Sequence, residues 1–252
     1  MNGANSVGRP LVYDSRYSRR LGDLLLGLGH RGRIAFAASC AHRLLPWVRH
    51  FRAEAGLVPN LTADIAIAAV WNQLEVGDGA KKTSIDMPEI IDQLEQIAPE
   101  TEIHRERSTS FCLSAVSAIS EAIWLCDVDD GASAVHSANA VTDTIDLWTA
   151  TFGLADPETP PLLRPMLPRA GEAVGRDSAD RQRWQQGMET HPRIQAELAR
   201  QEMDIDELTR DIEISPVTAK RIRDRSAAAV VIPFPDDPIW QAVKEFGRKS
   251  ER

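Results

Sequence analysis

Apolar residues recur every three or four positions over most of the chain, which is the spacing of one face of an α-helix. The clearest stripe predicts one long helix whose inner face carries Phe36, Cys40, Leu44, Trp47 and Phe51. Pro46 lies inside this stripe and is expected to kink the helix, because proline removes a backbone hydrogen bond. Gly56 is expected to end it.

The same spacing predicts seven further helices. Their apolar stripes or start signals lie at 65–74 (capped by Thr62), 90–97 (capped by Asp86), 109–126, 131–152, 190–212, from Ser215–Pro216, and from Asp237–Pro238. The last is a short tail helix carrying Trp240, Val243 and Phe246. Five prolines and two glycines interrupt the rhythm within 156–180, which predicts a loop or insertion there. No strand pattern of useful length and no internal repeat is found.

These elements predict an all-α fold, a single compact bundle of about seven to eight helices. The helical domain is expected to span 17–226, with the proline-rich insertion at 156–180. Residues 1–16 are expected to be a flexible N-terminus, and 227–252 a tail with a short helix.

Composition favours an ordinary globular protein of the cytoplasm. The chain has 252 residues, of which 43% are hydrophobic and 26% charged. Residues 1–10 lack the apolar core of a secretory signal, and no apolar run approaches the ~18 residues of a membrane helix. Three widely spaced cysteines, Cys40, Cys112 and Cys126, predict reduced, buried thiols.

The net charge of −8 is unevenly distributed. Residues 1–52 hold nine arginines against two acids, whereas 84–158 hold fifteen acids against two arginines. Solvated helix faces would account for this, but the acidic stretch also suits a basic protein partner. The candidate protein-binding acids are Glu121, Asp127, Asp129, Asp130, Asp143 and Asp146. Asp143 and Asp146 are expected to point to solvent.

The sequence contains no recognisable catalytic, cofactor or metal site. None of the six histidines has a second ligand at a metal-binding spacing. Asp127–Gly131 lacks the alternation and the closing glutamate of a calcium loop. There is no glycine-rich phosphate loop, nucleophile elbow or Cys–His pair.

Residues 206–225 resemble a DNA-binding helix-turn-helix. The second helix would begin at Ser215–Pro216 and present four basic side chains, those of Lys220, Arg221, Arg223 and Arg225. However, Glu213 occupies the turn position that usually holds glycine. The preceding helix also extends unbroken from His191, so a bundle helix with a basic outer face is favoured.

With the helices assigned, three segments resemble a bacterial all-helical family of unknown function typified by the YjaG protein. They are Arg33–Pro46 (RIAFAASCAHRLLP), the helix pair around Ala115–Trp148, and His191–Gln201 (HPRIQAELARQ). Together they span roughly 17–226, while the segment 156–180 and the tail after Arg225 are longer than the family pattern. The resemblance implies a compact helical fold and carries over no catalytic residues.

Three functional hypotheses follow. The leading one is a non-catalytic helical interaction protein, for example an immunity- or antitoxin-like protein that masks a basic partner. The second is a DNA-binding regulator using 206–225. The third is an enzyme or small-ligand binder with a cleft between helices near His42, Arg43 and Trp47.

Overall fold

In a computed structural model, the described residues (15–76, 87–104, 106–167, 178–229 and 231–233) contain ten α-helices and no strand. The helices are α1 (Ser15–Leu26), α2 (His30–Leu44), α3 (Pro46–Glu54), α4 (Thr62–Glu75), α5 (Met87–Ile97), α6 (Thr109–Asp127), α7 (Gly131–Phe152), α8 (Ser178–Glu189), α9 (Pro192–Arg210) and α10 (Pro216–Ala227). The predicted all-α bundle is confirmed.

Helices α2, α6 and α7 form the centre, and each packs against the other two. Every residue from Ile34 to Ala41 is buried, so this middle part of α2 is enclosed on all sides. Alanines on α2 and on α6 allow these helices to approach closely. The remaining helices surround this trio, with α9 and α10 both packed against α2.

The predicted single helix is divided at Pro46 into α2, which ends at Leu44, and α3, which begins at Pro46. Leu45 keeps helical dihedral angles and joins α2 to α3 without a loop, and proline occupies the first position of α3. Gly56 follows α3 with a φ of 65°, a left-handed conformation that favours glycine after a helix C-terminus.

Two helices were not predicted from the sequence. Helix α1 was missed because its apolar stripe is short, and Leu21 and Leu25 are the residues that it buries. Helix α8 is mostly polar, and Trp184 and Met188 are its large buried residues. The prediction of a loop or insertion over 156–180 therefore fails at its end, since α8 begins at Ser178.

Other helix boundaries also differ from the predicted ones. Thr62 is the first residue of α4 and does not cap it, because Leu61 occupies the N-cap position; Asn60 Oδ1, one residue earlier, accepts a hydrogen bond from the Thr62 N–H. Helix α9 ends at Arg210 and not at Ile212, and the turn that follows contains Ile214 with a φ of 50°. Helix α10 begins at Pro216, in agreement with the start predicted from Ser215–Pro216, and Ser215 caps it. The predictions for 1–14 and for the tail helix lie outside the described residues.

Within the described part of the chain, α6 is the one helix whose length and composition would suit a membrane span. It lies at the centre of the bundle, and 61% of its most apolar window is buried. Such burial is also typical of a core helix.

Candidate functional site

A buried network of charged side chains joins α2 to α9. The Arg43 guanidinium donates to Asp204 Oδ2 at 2.9 Å and lies 2.9 Å from Glu197 Oε1. Ser39 Oγ also donates to Asp204, at 2.8 Å. Burial alone would lower the pKa of Arg43, but the two carboxylates raise it, so the arginine remains charged.

The network extends to α1 on one side. Gln201 donates to Glu197 Oε1 at 3.0 Å, and Tyr17 of α1 donates its hydroxyl hydrogen to Gln201 Oε1 at 2.6 Å. These hydrogen bonds satisfy polar atoms that would otherwise be costly to bury.

On the other side, the network extends to α10 through Arg225. Its guanidinium bridges two residues of α9, since it donates to Asp204 Oδ1 at 2.6 Å and to Glu207 Oε2 at 2.8 Å. Glu207 also accepts from Arg221. The network therefore fixes α10 against the outer side of α9.

An open groove of about 610 Å³ lies where α9 and α10 meet, above this network. Four carboxylates and two guanidinium groups line it, together with three uncharged residues: Glu202, Asp206, Glu207, Asp211, Arg210, Arg221, Ala199, Met203 and Thr218. The groove is therefore acidic, and Met203, which is 50% exposed, adds an apolar surface.

The four carboxylates of the groove differ in how many hydrogen bonds and ion pairs they form with the rest of the protein. Glu207 binds two arginines. Hydrogen bonds from the Thr218 side chain and from the Ser215 hydroxyl and N–H hold the pKa of Asp211 below its usual range. Glu202 forms an exposed ion pair with Arg20. Asp206 is exposed and has no hydrogen bond or ion pair with the described residues. Glu202 and Asp206 are thus the carboxylates most open to a partner.

The four basic residues of the helix-turn-helix hypothesis all lie on α10, and each is paired with an acid. Lys220 binds Asp224 at 2.5 Å, Arg223 binds Glu75 of α4 at 2.6 Å, and Arg221 and Arg225 bind Glu207. Ala219 and Ile222 face the core. Helix α10 is thus an integral helix of the bundle.

The six acids predicted as one binding face lie in different environments. Asp127, Asp129 and Asp130 share the α6–α7 turn, where Asp129 binds Arg33 at 2.5 Å and Asp130 caps α7 through the Ala132 N–H. Asp127 is exposed. Glu121 lies 3.4 Å from His136.

The expectation that Asp143 and Asp146 point to solvent is wrong. Both side chains are only partly exposed. Trp184 donates its Nε1–H to Asp146 Oδ1 at 2.5 Å. Burial and the charge of Asp146 raise the pKa of Asp143 to about 7.

A second buried polar cluster lies at the start of α9. Asp156 Oδ2 accepts from Trp148 Nε1 at 3.1 Å and from Arg193 Nε at 3.2 Å, and Oδ1 accepts from the Glu158 N–H. Burial would raise the pKa of Asp156, but these hydrogen bonds and Arg193 hold it below its usual value. This cluster anchors the beginning of the proline-rich segment to the bundle.

His191 caps α9, because its Nδ1 accepts from the Arg193 N–H at 3.2 Å. Its Nε2 lies 3.3 Å from Thr149 Oγ1, which itself donates to a backbone carbonyl, so Nε2 carries the hydrogen. Burial lowers the pKa of His191 to about 4. The histidine is therefore neutral at pH 7.

The residues of the ligand-cleft hypothesis are mostly enclosed. The Arg43 guanidinium is already paired with Glu197 and Asp204. Trp47 is fully buried, and the centre of its ring lies 4.9 Å from that of Phe111. His42 is partly buried beside Trp71, and burial lowers its pKa to about 4. The groove on α9 and α10 includes none of the three.

The three cysteines are free and buried, as predicted. Burial raises the pKa of Cys40 and of Cys112 to about 12, so both remain protonated thiols. Among the residues that the structure describes, no three His, Cys, Asp or Glu side chains are grouped so as to hold a metal ion.

Sequence reasoning missed Glu197 and Asp204, although a signal for them was present. Both are spaced with Ile194, Ile205 and Leu208 on one face of α9. A charged residue on an apolar helix face indicates a buried partner of opposite charge. Arg43, inside the stripe of α2, is that partner.

Comparisons with known proteins identify a fold. No family model and no curated protein matches the chain. A solved structure does match it, that of a DUF416 family protein from Shewanella baltica OS155, with a TM-score of 0.65 and 16% sequence identity. The match covers 88% of this chain and 99% of the other. The chain therefore has the fold of a protein from a family of unknown function.

Proposed function

We propose that this protein is a non-catalytic interaction protein whose groove between α9 and α10 binds a basic segment of another protein. The observation that carries this proposal is the lining of the groove, in which four carboxylates outnumber two guanidinium groups around the exposed Met203. Methionine and arginine are enriched at protein interfaces, so the groove offers an apolar contact within an acidic rim.

The charge of the whole chain supports this reading. A net charge of −8 attracts a basic partner over distances of about 8–10 Å at physiological salt, which raises the rate of encounter. An immunity- or antitoxin-like protein that covers a basic surface of a toxin is a concrete form of this function. The three reduced thiols fit the cytoplasm as its location.

The ion pairs of α10 favour a protein partner over DNA. Lys220, Arg221, Arg223 and Arg225 are already bound to carboxylates, and duplex phosphates would compete with those partners. Phosphates would also meet the repulsion of the acids that line the adjacent groove.

We further infer that the chain belongs to the YjaG-like family. The three matching sequence segments and the shared fold with the DUF416 family protein support this assignment.

The test is affinity purification of the tagged chain from its native cells at moderate salt, followed by mass spectrometry. The groove variant is Glu202→Lys with Asp206→Lys, both at exposed positions. Its matched control is Asp92→Lys with Glu95→Lys on α5, which makes the same change in net charge at exposed positions away from the groove.

We expect the wild type and the control to recover the same basic protein in stoichiometric amount, and the groove variant to lose it. Recovery of that protein by the groove variant would contradict the proposal. Recovery of nucleic acid or of no protein at all would equally contradict it.

A further inference from the structure

The groove between α9 and α10 follows one face of α9. Its lining residues on that helix recur at steps of three and four from Ala199 to Arg210, which is the spacing of a single helical stripe. Thr218 and Arg221 of α10 form the facing wall. At about 1.5 Å per residue the stripe is about 16 Å long, so the groove has the length of about three turns of a further helix.

The walls of the groove favour a helical occupant over an extended one. No strand occurs among the described residues, so an extended segment has no sheet edge to join by backbone hydrogen bonds. Both walls are helices, whose interior N–H and C=O groups are hydrogen-bonded within each helix. An α-helix satisfies its own backbone groups in the same way, and it can bury one side in the groove.

Three charged side chains of the stripe are open to such an occupant. Asp206 and Arg210 are exposed and form no ion pair or hydrogen bond with the described residues. Glu202 pairs with Arg20 of α1, but the two side chains are 50% and 68% exposed, so water weakens this pair. Each of the three groove charges lies four residues from the next, a step of about 6 Å along the helix.

We infer that the groove takes an amphipathic α-helix with two basic residues four positions apart, an apolar residue between them and an acid one turn beyond. This inference rests on the proposed function, since it describes the partner of the same groove. The two basic residues pair with Glu202 and Asp206. The apolar residue packs on Met203, which is 50% exposed and lies between those acids in the stripe, and the acid pairs with Arg210.

The charges of the stripe disfavour other occupants. A neutral helix would take water from Glu202 and Asp206 without giving them new partners, which costs free energy. A wholly basic helix would place a cation against Arg210. The chain's own C-terminal segment has two basic residues four apart, Lys244 and Arg248, but the positions one turn beyond them hold tryptophan and arginine in place of the acid.

The probe for this inference is a synthetic peptide, Glu-Ala-Gln-Ala-Arg-Leu-Ala-Leu-Arg-Ala-Gln-Ala-Glu. It reads the same in both directions, so it offers the pattern in either orientation along α9. In a first control peptide the second arginine is exchanged with the central alanine, which places the arginines on different sides of the helix at unchanged composition. In a second, proline replaces the central alanine and breaks the helix. Fluorescence anisotropy of the labelled peptides measures their affinity for the full chain.

We expect the wild type to bind the probe about ten times more tightly, or more, than either control peptide, a difference of about 1.4 kcal/mol. The surface control, Asp92→Lys with Glu95→Lys, should show the same preference, and Glu202→Lys with Asp206→Lys should lose it. Arg210→Ala should weaken binding of the probe. The same substitution should leave unchanged the binding of a probe that carries glutamine in place of both glutamates.

Equal affinity for the probe and either control peptide would overturn the inference, as would no binding of the probe. Neither result bears on the proposed function, which fails separately if affinity purification recovers no basic protein. Binding of the probe only after Lys244→Glu with Arg248→Glu would assign the groove to the chain's own C-terminal segment, and would overturn the inference too.

Discussion

Arg43 of α2 and Asp204 of α9 form an ion pair with Nη1 and Oδ2 2.9 Å apart, and their side chains are only 2% and 1% exposed. Glu197 completes the pairing of Arg43, and Arg225 completes that of Asp204. Three helices are thereby held in one register, because sliding any of them would leave a buried charge without a partner. This register gives the α9–α10 groove a fixed shape.

Replacing Arg43 with alanine is expected to destabilise the protein by about 3–5 kcal/mol, because it leaves Glu197 and Asp204 buried without their main counter-ion. Urea denaturation followed by circular dichroism measures the change. The control is Arg20→Ala, which breaks the exposed ion pair with Glu202 and should cost less than about 1 kcal/mol. Equal losses for the two variants would show that the network does not stabilise the fold.

The stability of the protein is expected to depend on His191 at acidic pH. Burial lowers the pKa of His191 from its ordinary 6.5 to about 4, so the unfolded chain takes up the proton first as the pH falls. The neutral histidine therefore makes its full contribution to the stability of the fold above about pH 6.5. This contribution decreases as the pH falls from about 6.5 to about 4, and it is lost below that. The slope is at most about 1.4 kcal/mol per pH unit.

Urea denaturation of the wild type and of His191→Gln at pH 7, 5.5 and 4.5 measures this effect. Glutamine retains an acceptor for the Arg193 N–H but does not titrate in this range. We expect the wild type to lose more stability than the variant between pH 7 and 4.5. Parallel pH profiles would rule out a buried neutral His191.

Asp143→Asn is expected to stabilise the protein at alkaline pH. Burial and the charge of Asp146 raise the pKa of Asp143 from 3.8 to about 7. Between about pH 4 and 7 the unfolded chain therefore releases this proton more readily than the folded chain, and the protein loses stability as the pH rises through this window. Asparagine carries no charge, so the variant should gain stability at both pH values, by about 1 kcal/mol or more at pH 8 and by about a third of that gain at pH 5. Thermal unfolding of the wild type and of the variant at both pH values measures this difference. An equal gain in stability at the two pH values would show that the charge of Asp143 is not its cause.

Two glycine-to-alanine substitutions should have opposite effects. A Cβ at Gly187 of α8 would overlap Cδ2 of the buried Leu163 and lie 2.6 Å from its Cγ, so Gly187→Ala should destabilise by about 1–3 kcal/mol. A Cβ at Gly22 of α1 meets its nearest atom at 3.9 Å, and Gly22→Ala should stabilise by about 0.5–1 kcal/mol. Thermal unfolding compares them, and destabilisation by both would contradict the packing described for α1.

The sequence alone predicted the fold class and most helices, because their apolar stripes face a shared core. Helix α8 escaped prediction because two large apolar residues, Trp184 and Met188, hold a mostly polar helix in place. Its position depends on Leu163 and Asp146, which are distant in sequence and cannot be found from local spacing.

The candidate site was less predictable than the fold. The basic residues from Lys220 to Arg225 suggested DNA binding, since a single helix gives no sign that acids of α4 and α9 neutralise it. The groove depends in the same way on how α9 and α10 pack. Only the placement of Glu197 and Asp204 on an apolar helix face carried a readable signal, which pointed to Arg43.

Hydrogen exchange with mass spectrometry on the chain alone and with the captured basic partner tests the groove most directly. Bound partner should slow exchange in 199–211 and 218–221, the segments that line the groove. The outer turn between α6 and α7, which carries the exposed Asp127, should exchange at an unchanged rate. Protection confined to that turn, with no change at the groove, would contradict the proposed binding site.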